Sequence, residues 1–188
     1  MLKKALIMSI LLSVVSCDTA LSTKEKQEYS RKGMEITKAS FKELSSNLIK
    51  QMKLGGPSQA VPFCNVQAMP ITDKMAKKFN VTIKRTSDNI RNSKNKASER
   101  ELEIIKEYKS LIKNNEALTP IVELDENNIK HYYAPIKLNV KCLACHGELG
   151  NKLSVKTDSL IKSLYPNDKA IGYKDGNLRG IWSITFQN

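Results

Sequence analysis

A chain of 188 residues, 40% of them apolar and 27% charged, is long enough to build one domain with a substantial core. Beyond its N-terminus no stretch is apolar enough to span a membrane, and neither an internal repeat nor a low-complexity tract occurs, which excludes membrane bundles and repeat arrays. The excess of 31 Lys and Arg over 19 Asp and Glu, a formal charge of +12, suits nucleic acid, an anionic membrane surface or an acidic protein partner.

The first elements narrow that choice. Lys3 and Lys4 form a charged start, Ala5 to Val15 an apolar core, and Val14-Val15-Ser16-Cys17 has the form of a bacterial lipobox. The apolar run falls short of the roughly 20 residues a transmembrane helix needs. We therefore expect residues 1–16 to be a lipoprotein signal peptide, 17–23 a tether lipidated on Cys17, and 24–188 a single exported domain. Export to the periplasmic side of a bacterial membrane removes nucleic acid as a partner. It leaves the membrane, through the lipid anchor, and a redox or signalling protein; a homodimer stays open.

Ser22-Thr23-Lys24-Glu25 reads as a capping box that opens a long helix, with Met34, Phe41, Leu44, Leu48 and Met52 at helical spacing and Gly55-Gly56 as its stop. A second helix is predicted over 58–69, containing Cys64, and a third from Pro70 to about Phe79. Val81 to Thr86 alternates as a strand, and the Asn- and Arg-rich run from Ser87 to Lys96 reads as a loop. Ser98 and Glu101 form a second capping box, opening a helix that should bury Leu102, Ile105, Tyr108 and Ile112.

The last third changes character. Pro120 to Leu124 and Ile129 to Ala134 read as a hairpin around the turn at 125–128, a helix is expected near 154–164, and Asp175-Gly176 should close a second hairpin running into Ile181 to Phe186. Helices first and antiparallel strands after, with no βαβ alternation, indicate an α+β domain.

Between the hairpins lies Cys142-Leu143-Ala144-Cys145-His146, the CxxCH signature of covalent haem c attachment. Its two thiols add to the haem vinyl groups, and the adjacent imidazole reaches the iron. With Cys17 assigned to lipid and this pair to haem, Cys64 is left over, and a leftover thiol in an exported chain points to an intermolecular disulfide, an inert buried thiol or a metal ligand. Other candidates for the sixth ligand are His131 and the methionines Met34, Met52, Met69 and Met75, the latter at core-like spacing. From the residues alone, Cys64 and His131 stand level. Arg85 and Arg91 suit haem propionates, since guanidinium forks match carboxylates. Tyr132, Tyr133 and Trp182 fit core packing better than pocket lining.

These segments together resemble the cyanobacterial Tll-like c-type haem domains. The resemblance covers most of the mature chain: Ala60-Val61-Pro62-Phe63-Cys64, Arg85-Thr86-Ser87, Arg91-Asn92 with Asn95, Ala134-Pro135-Ile136 leading to the CxxCH and Gly147, and Gly172-Tyr173 with Gly180. Where that family often has proline after the second asparagine, this chain has Lys96-Ala97-Ser98. The resemblance implies a PAS-like antiparallel sheet of about five strands with flanking helices, and one haem c held by His146 and a distant cysteine thiolate. By position that thiolate is Cys64. Two protein ligands would leave no open iron position, so we expect a low-potential, non-enzymatic haem. The leading function is a redox or gas sensor working through a partner. The alternatives are a membrane-tethered electron-transfer cytochrome and a zinc-binding structural protein using Cys64, Cys142, Cys145 and His146.

Overall fold

The computed structural model describes residues 20–187. The expected signal peptide, lipobox and Cys17 lie outside the described residues. None of the described helices is long and apolar enough to cross a membrane.

Helix α1 (Thr23–Phe79) starts where the capping box predicts: the Ser22 hydroxyl accepts from the Glu25 amide, and the Glu25 carboxylate accepts from the Ser22 amide at 3.0 Å. It breaks at Gly55-Gly56, where Gly56 takes φ 61°, and Pro57 follows at the start of the resumed helix. The predicted second and third helices are one, running through Pro62 and Pro70. Burial of Val61, Thr72 and Met75 on both sides of Pro70 holds the segment helical despite the lost amide donor. Asn80, in the left-handed conformation, ends it.

The sheet has four antiparallel strands in the order β1-β4-β3-β2: β1 (Val81–Thr86), β2 (Ile121–Leu124), β3 (Lys130–Lys137) and β4 (Leu178–Phe186). The expected 125–128 turn joins β2 to β3, with the Asp125 carboxylate accepting from the Asn127 and Ile129 amides. Among the described residues the expected fifth strand does not form. Residues before Asp175 spend their backbone groups on the CxxCH segment instead: Gly172 donates to Gly147 O and Tyr173 to His146 O, both at 2.9 Å.

Strand parity gives the sheet two buried faces. On one, Ile83, Tyr132, Ala134, Trp182 and Ile184 pack under Ile36 and Met75 of α1. On the other, Tyr133, Leu178 and Ile181 pack under Ile104, Ile105 and Tyr108 of α2 (Glu99–Lys113), which opens on the predicted Ser98 capping box. The buried stripe of α2 is rotated from the expected one, since Leu102 and Ile112 are exposed. So is that of α1: Met34, Phe41 and Leu48 face solvent, and Gly33, Ile36 and Ser40 face the sheet. Gly33 sits directly on Tyr132, where an added Cβ would lie 2.3 Å from the ring. Two short helices complete the fold, α3 (Leu143–His146) and α4 (Val155–Leu164), the latter capped by Ser154.

Candidate functional site

Cys64 lies one turn after Val61 on the resumed half of α1, so the two share a helix face. Val61 is buried in a third apolar cluster with Leu153 and Ile161 of α4, against which Cys145, Leu164, Tyr165 and Ile171 pack. That cluster brings the Cys64 turn to the CxxCH segment although 78 positions separate Cys64 from Cys142. Cys64, Cys142 and Cys145 are free thiols, each half-buried. Burial pushes the Cys64 thiol up, and the charges of Arg85 and Arg91 pull it partly back. The Cys145 thiol is likewise pushed up by burial and eased by Arg91.

His146 closes α3. Its Nδ1 lies 2.7 Å from the carbonyl of Ala170, which can only accept, so Nδ1 carries the proton and Nε2 keeps its lone pair. Burial first, and then Arg91 and Arg179, push the imidazole down to about 3, so it is neutral. A neutral imidazole with Nδ1 tied to a carbonyl is the form that ligates metals. Gly147 is required for steric reasons: a Cβ there would meet Leu143 O at 2.5 Å.

Arg91 is a brace. Its Nε and Nη2 donate to the two Asp168 oxygens, both at 3.1 Å, and Nη2 also reaches Cys145 O at 2.7 Å and Ala170 O at 3.2 Å. It thereby ties the loop after β1 to the CxxCH backbone and to the carbonyl that orients His146. Arg85 projects from β1 on the α1 side of the sheet and lies over Trp182, 5.8 Å from the ring centre. Sequence reasoning gave no site role to four further members of this neighbourhood. Asp168 completes the brace, Tyr165 lies near Cys64, Tyr173 packs edge-on against His146, and Arg179 lies over Tyr173. Only the glycine pattern around Tyr173 and Arg179 marked that stretch.

His131 is elsewhere. It belongs to the α2 face with Tyr133, on which it stacks, while Arg85 and Trp182 occupy the opposite face. Its two ring nitrogens contact Asp125 at 3.2 Å and Thr185 at 3.1 Å. Of the methionines, Met75 is in the sheet core and Met34 is exposed. Tyr132 and Tyr133 occupy opposite core faces, and Trp182 is core on one side and a platform for Arg85 on the other. Among the described residues no three His, Cys, Asp or Glu side chains are grouped to hold a metal ion, so the four-residue zinc set is not assembled. A cavity of about 290 Å³ with a mixed lining that includes Asn65, Arg91, Leu164 and Tyr165 opens beside the Cys64 turn. A second hollow, near Asp73 and Lys77, is about 350 Å³ and has none of these groups around it.

The Tll0287-like family matches residues 8–187. The chain belongs to the Tll0287-like family. Its fold is also that of a solved member: the crystal structure of the cyanobacterial haem-protein Tll0287 superposes with a TM-score of 0.60 at 20% identity, covering 89% of this chain and 98% of that one. No curated protein matches. As a Tll0287-like chain the protein conforms to the expected family and to the α+β expectation.

Proposed function

We propose that this Tll0287-like chain is an exported, lipid-anchored protein carrying one covalent haem c, and that it acts as a redox or gas sensor module through a partner protein. The observation that supports this most is the state of the CxxCH segment: two free thiols, one capping and one within a short helical turn, precede an imidazole whose Nδ1 is committed to Ala170 O and whose Nε2 keeps its lone pair. That donor set fits a haem. Cys142 and Cys145 would hold the porphyrin covalently, and His146 and Cys64 would ligate its iron; the bound group would supply a one-electron couple.

The surrounding residues have definable tasks in that reading. Ala170 and Arg91 fix the imidazole and the backbone beneath it. Arg85 and Arg91 ease ionisation of the Cys64 thiol against its burial. A Cys64 thiolate favours the ferric state and lowers the potential. Were His146 and Cys64 both to ligate the iron, the group would supply electron exchange and not substrate activation, which is the non-enzymatic role we propose. In the sensing reading Cys64 would be the releasable ligand, and the bound group would supply a site for a small gas molecule.

Electron transfer is the second reading, favoured by the packing of the Cys64 turn and the CxxCH turn on α4, which would hold both ligands through a redox cycle. Oxidised and reduced absorption spectra of the exported protein and of Cys64→Ala separate the readings. Sensing predicts loss of the thiolate signature on reduction and CO binding to the reduced protein; retention of both ligands with fast self-exchange indicates a carrier. An unchanged ferric spectrum in Cys64→Ala removes the ligand assignment.

A further inference from the structure

Three arginines converge on this site, and one carboxylate answers them. Asp168 is bonded through both oxygens to Arg91, and among the described residues no carboxylate lies within ion-pair distance of Arg85 or Arg179. The brace is therefore neutral, and two guanidinium charges remain. Both are partly buried and close enough to affect one another. Arg85 neighbours Cys64; Arg179 neighbours His146. Uncompensated cations in such surroundings are costly unless an anion joins them.

Their geometry shows what kind of anion. Arg85 lies over Trp182 at 5.8 Å and Arg179 over Tyr173 at 5.7 Å. A guanidinium lying over a ring still has N–H groups to offer an anion. Arg179 spends one donor, Nη1, on Asn89 O at 3.0 Å, which fixes its plane further. Such a held fork matches a carboxylate in bidentate fashion. Two forks on aromatic platforms, one on the Cys64 side and one on the His146 side, suit a ligand with two carboxylates.

We propose that Arg85 and Arg179 receive the two propionate carboxylates of the porphyrin, and that Arg91, committed to Asp168, does not. This rests on the haem reading above and replaces Arg91 by Arg179 within it. The charges agree: two guanidinium cations offset two propionates, and the Cys64 thiolate offsets the single net charge of a ferric porphyrin.

The test uses the exported holoprotein and its Arg85→Leu, Arg179→Leu and Arg179→Lys variants, read by midpoint potential and by the propionate bending modes in resonance Raman spectra. Far-UV circular dichroism checks the fold. Both leucine variants should retain covalent haem, shift the propionate modes and lower the midpoint, because a cation favouring the reduced iron is lost. Arg179→Lys should restore part of the midpoint but not the modes. Unmoved propionate modes in a folded, haem-loaded Arg179→Leu protein would overturn the proposal while leaving the haem reading intact. Wild-type protein exported without haem would overturn both.

Discussion

At the residue scale the organising contact is His146 Nδ1 to Ala170 O, because it decides which imidazole nitrogen faces outward. Ala170 is held in turn by the brace: its amide donates to Asp168 Oδ1 at 2.9 Å, and its carbonyl accepts from Arg91. The Asp168 side chain is 2% exposed and that of Arg91 is 14% exposed, so removing one partner strands a charge away from water. Asp168→Ala should destabilise the protein by about 3 kcal/mol, measurable by urea unfolding. It should also reduce the fraction of exported chains that carry haem. Wild-type stability in that variant would show the brace to be dispensable. The CxxCH was legible in the sequence because its chemistry is local: five consecutive residues state it. The role of Arg91 was not, because its partner Asp168 is 77 positions away, and only the fold reveals that the guanidinium is already spent. His131 was inseparable from Cys64 for the same reason; strand parity, not composition, puts it across the sheet.

At the element scale, capping boxes at Ser22 and Ser98 and the break at Gly55-Gly56 were readable, since each is fixed within four residues. Helix phase was not. Met34, Phe41 and Leu48 recur every seven residues and imitate a core stripe, yet the face of α1 that docks is the one with Gly33, because only a hydrogen there lets the helix backbone approach the Tyr132 ring. Gly33→Ala would gain about 1 kcal/mol in helix propensity. The overpacking of a buried ring costs about 1–3 kcal/mol or more, and at 2.3 Å the clash should win. We expect net destabilisation, read as a lower urea midpoint; a more stable protein would mean that α1 can lift off the sheet freely. Gly180 is the second such position: φ is 157° and a Cβ would lie 2.1 Å from Thr86 O, where β1 and β4 meet next to Arg179. Gly180→Ala should weaken that strand end and, with it, the placement of Arg179, seen as faster amide exchange in β1. The missing fifth strand follows from competition for backbone groups, which the CxxCH segment wins at Gly172 and Tyr173.

For the whole molecule, the sheet has its own two cores, and the third cluster, built by Val61, Leu153 and Ile161, holds α1, α4 and the CxxCH turn together. Haem loading should therefore stabilise that end of the molecule most. Replacing Cys142 and Cys145 by Ala should lower the thermal midpoint, with amide protection lost around Cys64 and α4 before the strands; uniform loss would indicate that the site and the sheet unfold as one unit. The α+β class and long first helix were legible from element order. The meeting of Cys64 with Cys145 was not, because it depends on where an entire helix packs. The most direct measurement is mass spectrometry of the exported, mature protein, with peptide mapping across 142–146. The account predicts one haem bound through thioethers to Cys142 and Cys145. Unmodified thiols at both positions, in protein that has been exported by a host able to mature c-type haem proteins, would contradict it.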